Sequence, residues 1–235
     1  MSIITEVCCC DIESALAAQR AGANRIELCT NLHENGTTPS YGNLVLVKEQ
    51  LQIPVHVFIA PRGGNFLYNE IEFQIMLHDI VMATECGADG LVAGCLTKKN
   101  ELDILKLKGI RQAAGETPLT FHRAFDLMKN PFDAMEQLID LGFQKLLTSG
   151  LSDSALNGKN ILKELVQKAN GRIEVIASAG INSGNIQQII LETEVNAVHF
   201  SSKHLVGDSS GAFSTQRMTS NYDEIKRCVE LAKSV

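Results

Sequence analysis

No run of the 235 residues approaches the roughly 20 apolar residues of a membrane-spanning helix, so no membrane span is expected. Basic residues are neither abundant nor clustered. There are 21 Lys and Arg against 27 Asp and Glu, a net charge of −6. That balance argues against a surface built for nucleic acid or for an anionic membrane. The opening residues 1–6 lack the basic patch and apolar stretch of a secretory signal, which points to a cytoplasmic protein. None of the seven cysteines is spaced as CxxC, so a zinc knuckle is not indicated. Three of them, Cys8, Cys9 and Cys10, are contiguous. Adjacent strand residues point to opposite faces, which makes a poor disulfide framework, and reduced thiols are expected. Proline is scarce, with 5 residues, and the 18 glycines are scattered, which excludes collagen-like and low-complexity classes. With 45% hydrophobic and 20% charged residues the chain is not disordered.

What is present is a recurring unit. A short apolar or β-branched run ends in small or polar residues, and a helical stretch follows, often closing on glycine. The runs fall at 3–9, 25–29, 55–60, 90–94, 119–122, 145–148, 173–178 and 197–201. Helical spacing and caps place helices at 11–22, 41–50, 70–87, 101–114, 131–142, 157–169, 182–192 and 222–233. Alternating strands and helices imply a parallel sheet with right-handed crossovers. Eight units average about 29 residues each, close to the roughly 31 of a (β/α)8 barrel. A doubly wound sheet is the competing architecture, but no GxGxxG follows the first strand. The expectation is one α/β domain over residues 1–235, a single (β/α)8 barrel. The Ser- and Gly-rich stretch 203–220 reads as a long, mobile loop after strand eight.

Strand parity then sorts the side chains. A charge facing the outer helices would be buried in hydrocarbon, so charges must point into the lumen or sit at strand ends. Glu6 and Cys8 on strand one and Glu27 and Cys29 on strand two therefore face inward, the same Glu-x-Cys pattern on neighbouring strands. His56, Phe58 and Ala60 follow on strand three, Thr120 and His122 on strand five, and Ala197, His199 and Ser201 on strand eight. Two carboxylates and three imidazoles in one lumen either form a satisfied hydrogen-bond network or serve a ligand. Barrel function resides at the C-terminal rim. Glu6, Glu27, His56 and His122 are expected to line one cavity there.

Two chemistries fit these residues. Cu(I) is soft and favours thiolates, and Cys8 and Cys29 lie on strands roughly 4.8 Å apart. Stagger between the strands would separate them, whereas Cys9 and Cys10 would supply a third sulfur if the first loop bends. The other chemistry is acid–base. Glu27, His56, His122 and Asp126 are the candidate proton-transfer and orienting groups. Arg62, beside Gly63 and Gly64, and Arg123 offer anion grips. Ser178, Gly180 and Ser201 mark the loops after strands seven and eight, where barrels commonly take phosphate. Lys145 stands at the start of strand six, about 10 Å below the rim, too deep for a Schiff-base role.

Several segments together resemble the CutC family. They are Thr5-Glu6-Val7-Cys8, Asn24-Arg25-Ile26-Glu27-Leu28-Cys29, Gly36-Thr37-Thr38-Pro39-Ser40, Pro61-Arg62-Gly63-Gly64, Thr120-Phe121-His122-Arg123-Ala124-Phe125-Asp126 and Leu146-Leu147-Thr148-Ser149-Gly150. The resemblance runs from strand one through strand eight. It implies a cytoplasmic (β/α)8 barrel assembled as dimers or tetramers, with a role in copper homeostasis and Cu(I) held by Cys8 and Cys29. The chain departs from the family pattern at Ala60, where Arg is frequent, and at Asn65, where Asp is frequent. Its seventh loop is reduced to Ser178-Ala179-Gly180. The alternative kept beside copper binding is an isomerase or lyase acting on a small anionic substrate.

Overall fold

The computed structural model describes residues 3–207 and 216–235. Eight parallel strands close into a barrel in sequence order. They are β1 (Ile4–Cys9), β2 (Arg25–Leu28), β3 (Val55–Phe58), β4 (Gly90–Ala93), β5 (Leu119–Phe121), β6 (Lys145–Thr148), β7 (Glu174–Ser178) and β8 (Ala197–Phe200). Each falls within a residue or two of its expected run. The helices are α1 (Ile12–Arg20), α2 (Tyr41–Gln50), α3 (Glu70–Glu85), α4 (Ile104–Ala114), α5 (Pro131–Asp140), α6 (Lys159–Ala169), α7 (Ile186–Thr193) and α8 (Tyr222–Lys233). Their starts follow local chemistry. Asp11 caps α1 by accepting the Ser14 N–H at 2.7 Å, and Asn69 and Glu72 form a reciprocal capping box at α3. Helix α7 starts four residues later than expected, because the Asn182 N–H is held by the Asn185 side chain in a turn ahead of it.

The expected loop at 203–220 is in part regular. Residues β9 (Lys203–Val206) and β10 (Arg217–Ser220) pair as an antiparallel ribbon, and the centre of that stretch, 208–215, lies outside the described residues. The Asn221 N–H bonds to the Ser202 carbonyl, and the Ser220 N–H to Ser14 Oγ. These bonds tie the ribbon back to the top of the barrel and to α1.

Strand parity holds. Val7, Cys9, Ile26, Leu28, Val57, Ile59, Leu91, Phe121 and Leu146 belong to the large apolar shell between strands and helices. The lumen is filled separately. Cys8, Cys29, Phe58, Ala60 and Val92 pack together on one side, and Leu147, Ile176 and Ala197 with Ile4 on the other. Burying so much apolar surface on both faces of each strand is what a parallel barrel requires.

Candidate functional site

Two glycines on β4 make room for imidazoles. A Cβ on Gly90 would stand 2.6 Å from the His56 ring, and one on Gly94 would stand 2.6 Å from His122. Both glycines share the inward parity of Val92, so β4 leaves space in the lumen where its neighbours carry histidines.

The lower lumen is an ion-pair network. Glu6 Oε2 pairs with Arg25 Nε, and Arg25 Nη2 reaches across to Glu174 at 2.6 Å. His199 Nδ1 lies 2.7 Å from Glu6 Oε1, and His56 Nδ1 stands 3.4 Å from Glu6 Oε2 without hydrogen-bond geometry. Burial would raise the Glu6 pKa, but the Arg25 charge and the two imidazoles hold it well below the usual carboxylate range. Lys145 borders this network, its pKa lowered by burial and by Arg25. Sequence reasoning missed Arg25 and Glu174, although Arg25 has the inward parity of Glu27 and Cys29.

Above that network opens a cavity of about 620 Å³ at the C-terminal end of the barrel. Cys8, Glu27, Cys29, His122 and His199 form its depth, and Arg123, Asp126, Ser178, Gly180 and Ser201 lie around it. Glu6 and His56 face the lumen as expected but lie beneath this cavity and do not line it. Arg62 is not brought to it either. Its guanidinium is committed to Glu72, to the Gly63, Asn65 and Leu67 carbonyls and to the Asn65 side chain, over the Tyr68 ring. The capping box of α3 thus draws Arg62 outward. Asp126 accepts from Thr148 Oγ1, from the Ser149 N–H and Oγ, and from Arg123 Nε, so it locks loops five and six together.

The two inward cysteines meet. Cys8 pairs in register with Glu27, so Cys29 sits one inward step higher, yet the two Sγ atoms are 3.5 Å apart. Stagger is spanned by side-chain direction. Donor atoms of Cys8, Glu27 and His199 all lie within 4.8 Å of one another. The first loop does not bring a third sulfur. Cys9 is buried in the outer shell, and Cys10 faces Asp11 and the Met218 carbonyl. His199 and Glu27 occupy that place instead.

Charge around the thiols follows from burial. Contact with Cys29 and burial push the Cys8 thiol well above its ordinary value. Contact with Cys8 works to lower Cys29, but burial and the nearby Glu27 raise it. Burial lifts Glu27 to about 7 against the pull of His199. Burial works to lower His199, yet Glu27, Cys8 and Glu6 outweigh it and hold the ring well above its ordinary value. The pair is therefore protonated at neutral pH, beside an imidazolium.

A model of the CutC family matches residues 3–204. The chain belongs to the CutC family. A CutC family protein of Bacteroides fragilis is 46% identical over 202 residues, covering 86% of this chain and 80% of that one. The human copper homeostasis protein cutC homolog is 46% identical over 200 residues, covering 85% and 74%. A crystal structure of CutC from Streptococcus agalactiae superposes with a TM-score of 0.82 at 37% identity, over 85% of this chain and 98% of that one. Phosphoribosylanthranilate isomerase of Thermotoga maritima, at 16% identity and a TM-score of 0.63, shares the barrel alone. In this CutC-family chain the Glu-x-Cys segments are the stretches that put both thiols in one cavity. No helix among the described residues is long and apolar enough to cross a membrane.

Proposed function

We propose that this CutC-family protein handles copper, taking Cu(I) as cargo between Cys8 and Cys29 at the C-terminal end of the barrel. The observation that carries the reading is the 3.5 Å separation of the two buried sulfurs. At a metal–thiolate length of about 2.3 Å, two sulfurs on opposite sides of one ion stand about 4.6 Å apart, so the pair opens by about 1 Å to admit it. The donor set supports a soft cation, since two thiolates favour Cu(I) over the hard ions that carboxylates prefer. Glu27 is a poor ligand for Cu(I). Its role is to share the charge of His199, whose imidazolium in turn offsets the second thiolate.

Because both thiols start protonated, binding releases protons and strengthens with pH. The test is Cu(I) titration of the reduced protein against a competing chelator at pH 6 and pH 8. Each of Cys8→Ser and Cys29→Ser is expected to weaken Cu(I) by more than the roughly 10–100-fold that loss of a supporting partner costs. Wild-type affinity is expected to be higher at pH 8. Unchanged stoichiometry and affinity in the double variant would overturn the assignment.

A further inference from the structure

The β5–β7 side of the cavity carries polar groups for which the thiol pair has no use. His122 Nδ1 accepts the Ala124 backbone N–H at 3.3 Å. Burial lowers the His122 pKa to about 4, so at neutral pH the ring is uncharged and its proton sits on Nε2. That Nε2–H is buried with no acceptor among the described residues. Ser178 Oγ, fully buried at the end of β7, has no partner among the described residues either. Both residues line the same cavity. Buried polar atoms are nearly always hydrogen-bonded, so two unpaired ones on residues that line one cavity imply a missing partner.

The mouth carries Arg123 and Lys203 against Asp126 and Asp153. Arg123 gives one N–H to Asp126 at 2.8 Å and one to Ser149 at 3.1 Å, which leaves three of its five donors. Asp153, also at the mouth, is held by the Asn157 side chain. Just beyond Ser178, Ala179 and Gly180 both have positive φ, 78° and 69°. A non-glycine residue there is strained, and such strain collects at ligand-binding sites.

We propose that this side binds a small hydroxylated organic anion, a carboxylate or a phosphate monoester. Its oxygens accept from His122 Nε2 and Ser178 Oγ, and its charge faces Arg123. Donors predominate here, so the complementary ligand is rich in acceptors. A volume of about 620 Å³ suits a small molecule and far exceeds the needs of one ion. Phe58 and Phe66, whose rings lie 5.5 and 4.5 Å from that of His122, give the pocket an apolar wall for a carbon skeleton. The proposal is independent of copper, because it uses neither sulfur.

The test is thermal unfolding of the full chain, reduced and in chelator, with malate, 3-phosphoglycerate, 2-phosphoglycolate and inorganic phosphate as probes. At least one organic anion is expected to raise the midpoint saturably, by about 3 °C at tenfold saturation. Ser178→Ala and His122→Phe are expected to lose the shift, and Ser178→Ala to retain the fold whatever His122→Phe does. Arg62→Ala and the Cys8→Ser/Cys29→Ser double variant are expected to keep it. The proposal is overturned if no organic anion shifts the midpoint, if inorganic phosphate does as well as the best of them, or if the shift survives in Ser178→Ala. Loss of the shift in the cysteine double variant would also overturn it, by tying the ligand to the thiols.

Discussion

The lower lumen and the cavity above it are built from the same residue types but resolved differently. Below, Glu6, Arg25, Glu174 and His199 answer one another across the barrel. The one gap there is His56 Nδ1, buried without a hydrogen bond 3.4 Å from Glu6. Above, Glu27 Oε2, His122 Nε2 and Ser178 Oγ are buried with no partner among the described residues. A satisfied buried network rigidifies a fold, whereas unsatisfied groups cost stability unless something else completes them. The division separates what holds the barrel from what is available to a ligand, and it runs between positions two residues apart on β1 and β2.

The sharpest way to break the comparison is at its base. Glu6→Ala leaves the Arg25 guanidinium buried and reduces its pairing to Glu174 alone. The expected loss is about 3–5 kcal/mol, a fall in midpoint of about 6–20 °C for a chain of this size. Calorimetry checks it, and a loss below about 1 kcal/mol would mean that the network is not what holds the barrel.

The cavity layer is expected to show itself through pH. His122 is depressed to about 4 from 6.5, so the unfolded chain binds its proton first as pH falls. Stability from this residue is present above pH 6.5 and is lost between about pH 6.5 and 4, by roughly 3 kcal/mol. Glu27 runs the other way. Raised from 4.5 to about 7, its neutral form favours the fold, and that contribution is lost as pH rises from 4.5 through 7, by roughly 3 kcal/mol. The slopes oppose each other in wild type, so two variants separate them. His122→Gln is expected to gain stability relative to wild type as pH falls from 6.5 to 4.5, and Glu27→Gln to exceed wild type in stability at pH 8. Denaturant titrations at pH 4.5, 6 and 8 distinguish these outcomes.

The smallest effect sharpens the comparison most directly. Ser178→Ala deletes a buried hydroxyl without a partner, so its stability in ligand-free protein is expected to be unchanged or to rise by up to about 1 kcal/mol. A clear destabilisation, measured by the same denaturant titration, would show that the hydroxyl is already satisfied.

The eight βα units and the inward direction of Cys8, Glu27, Cys29, His122 and His199 could be determined from the sequence alone. Strand period, helix caps and the cost of facing a charge toward hydrocarbon are local rules, and each acts within a few residues. The outward turn of Arg62 was less legible, because Glu72 competes for it from the start of α3. The inward parity of Arg25 was legible, but its bond to Glu174, 149 residues away, depends on closing the barrel. Closure also decided that Cys8 and Cys29 touch despite their stagger, that Glu6 and His56 fall beneath the cavity, and that 203–206 and 217–220 pair as a ribbon. These outcomes turn on strand shear and on competition among partners far apart in the chain, which periodicity does not encode.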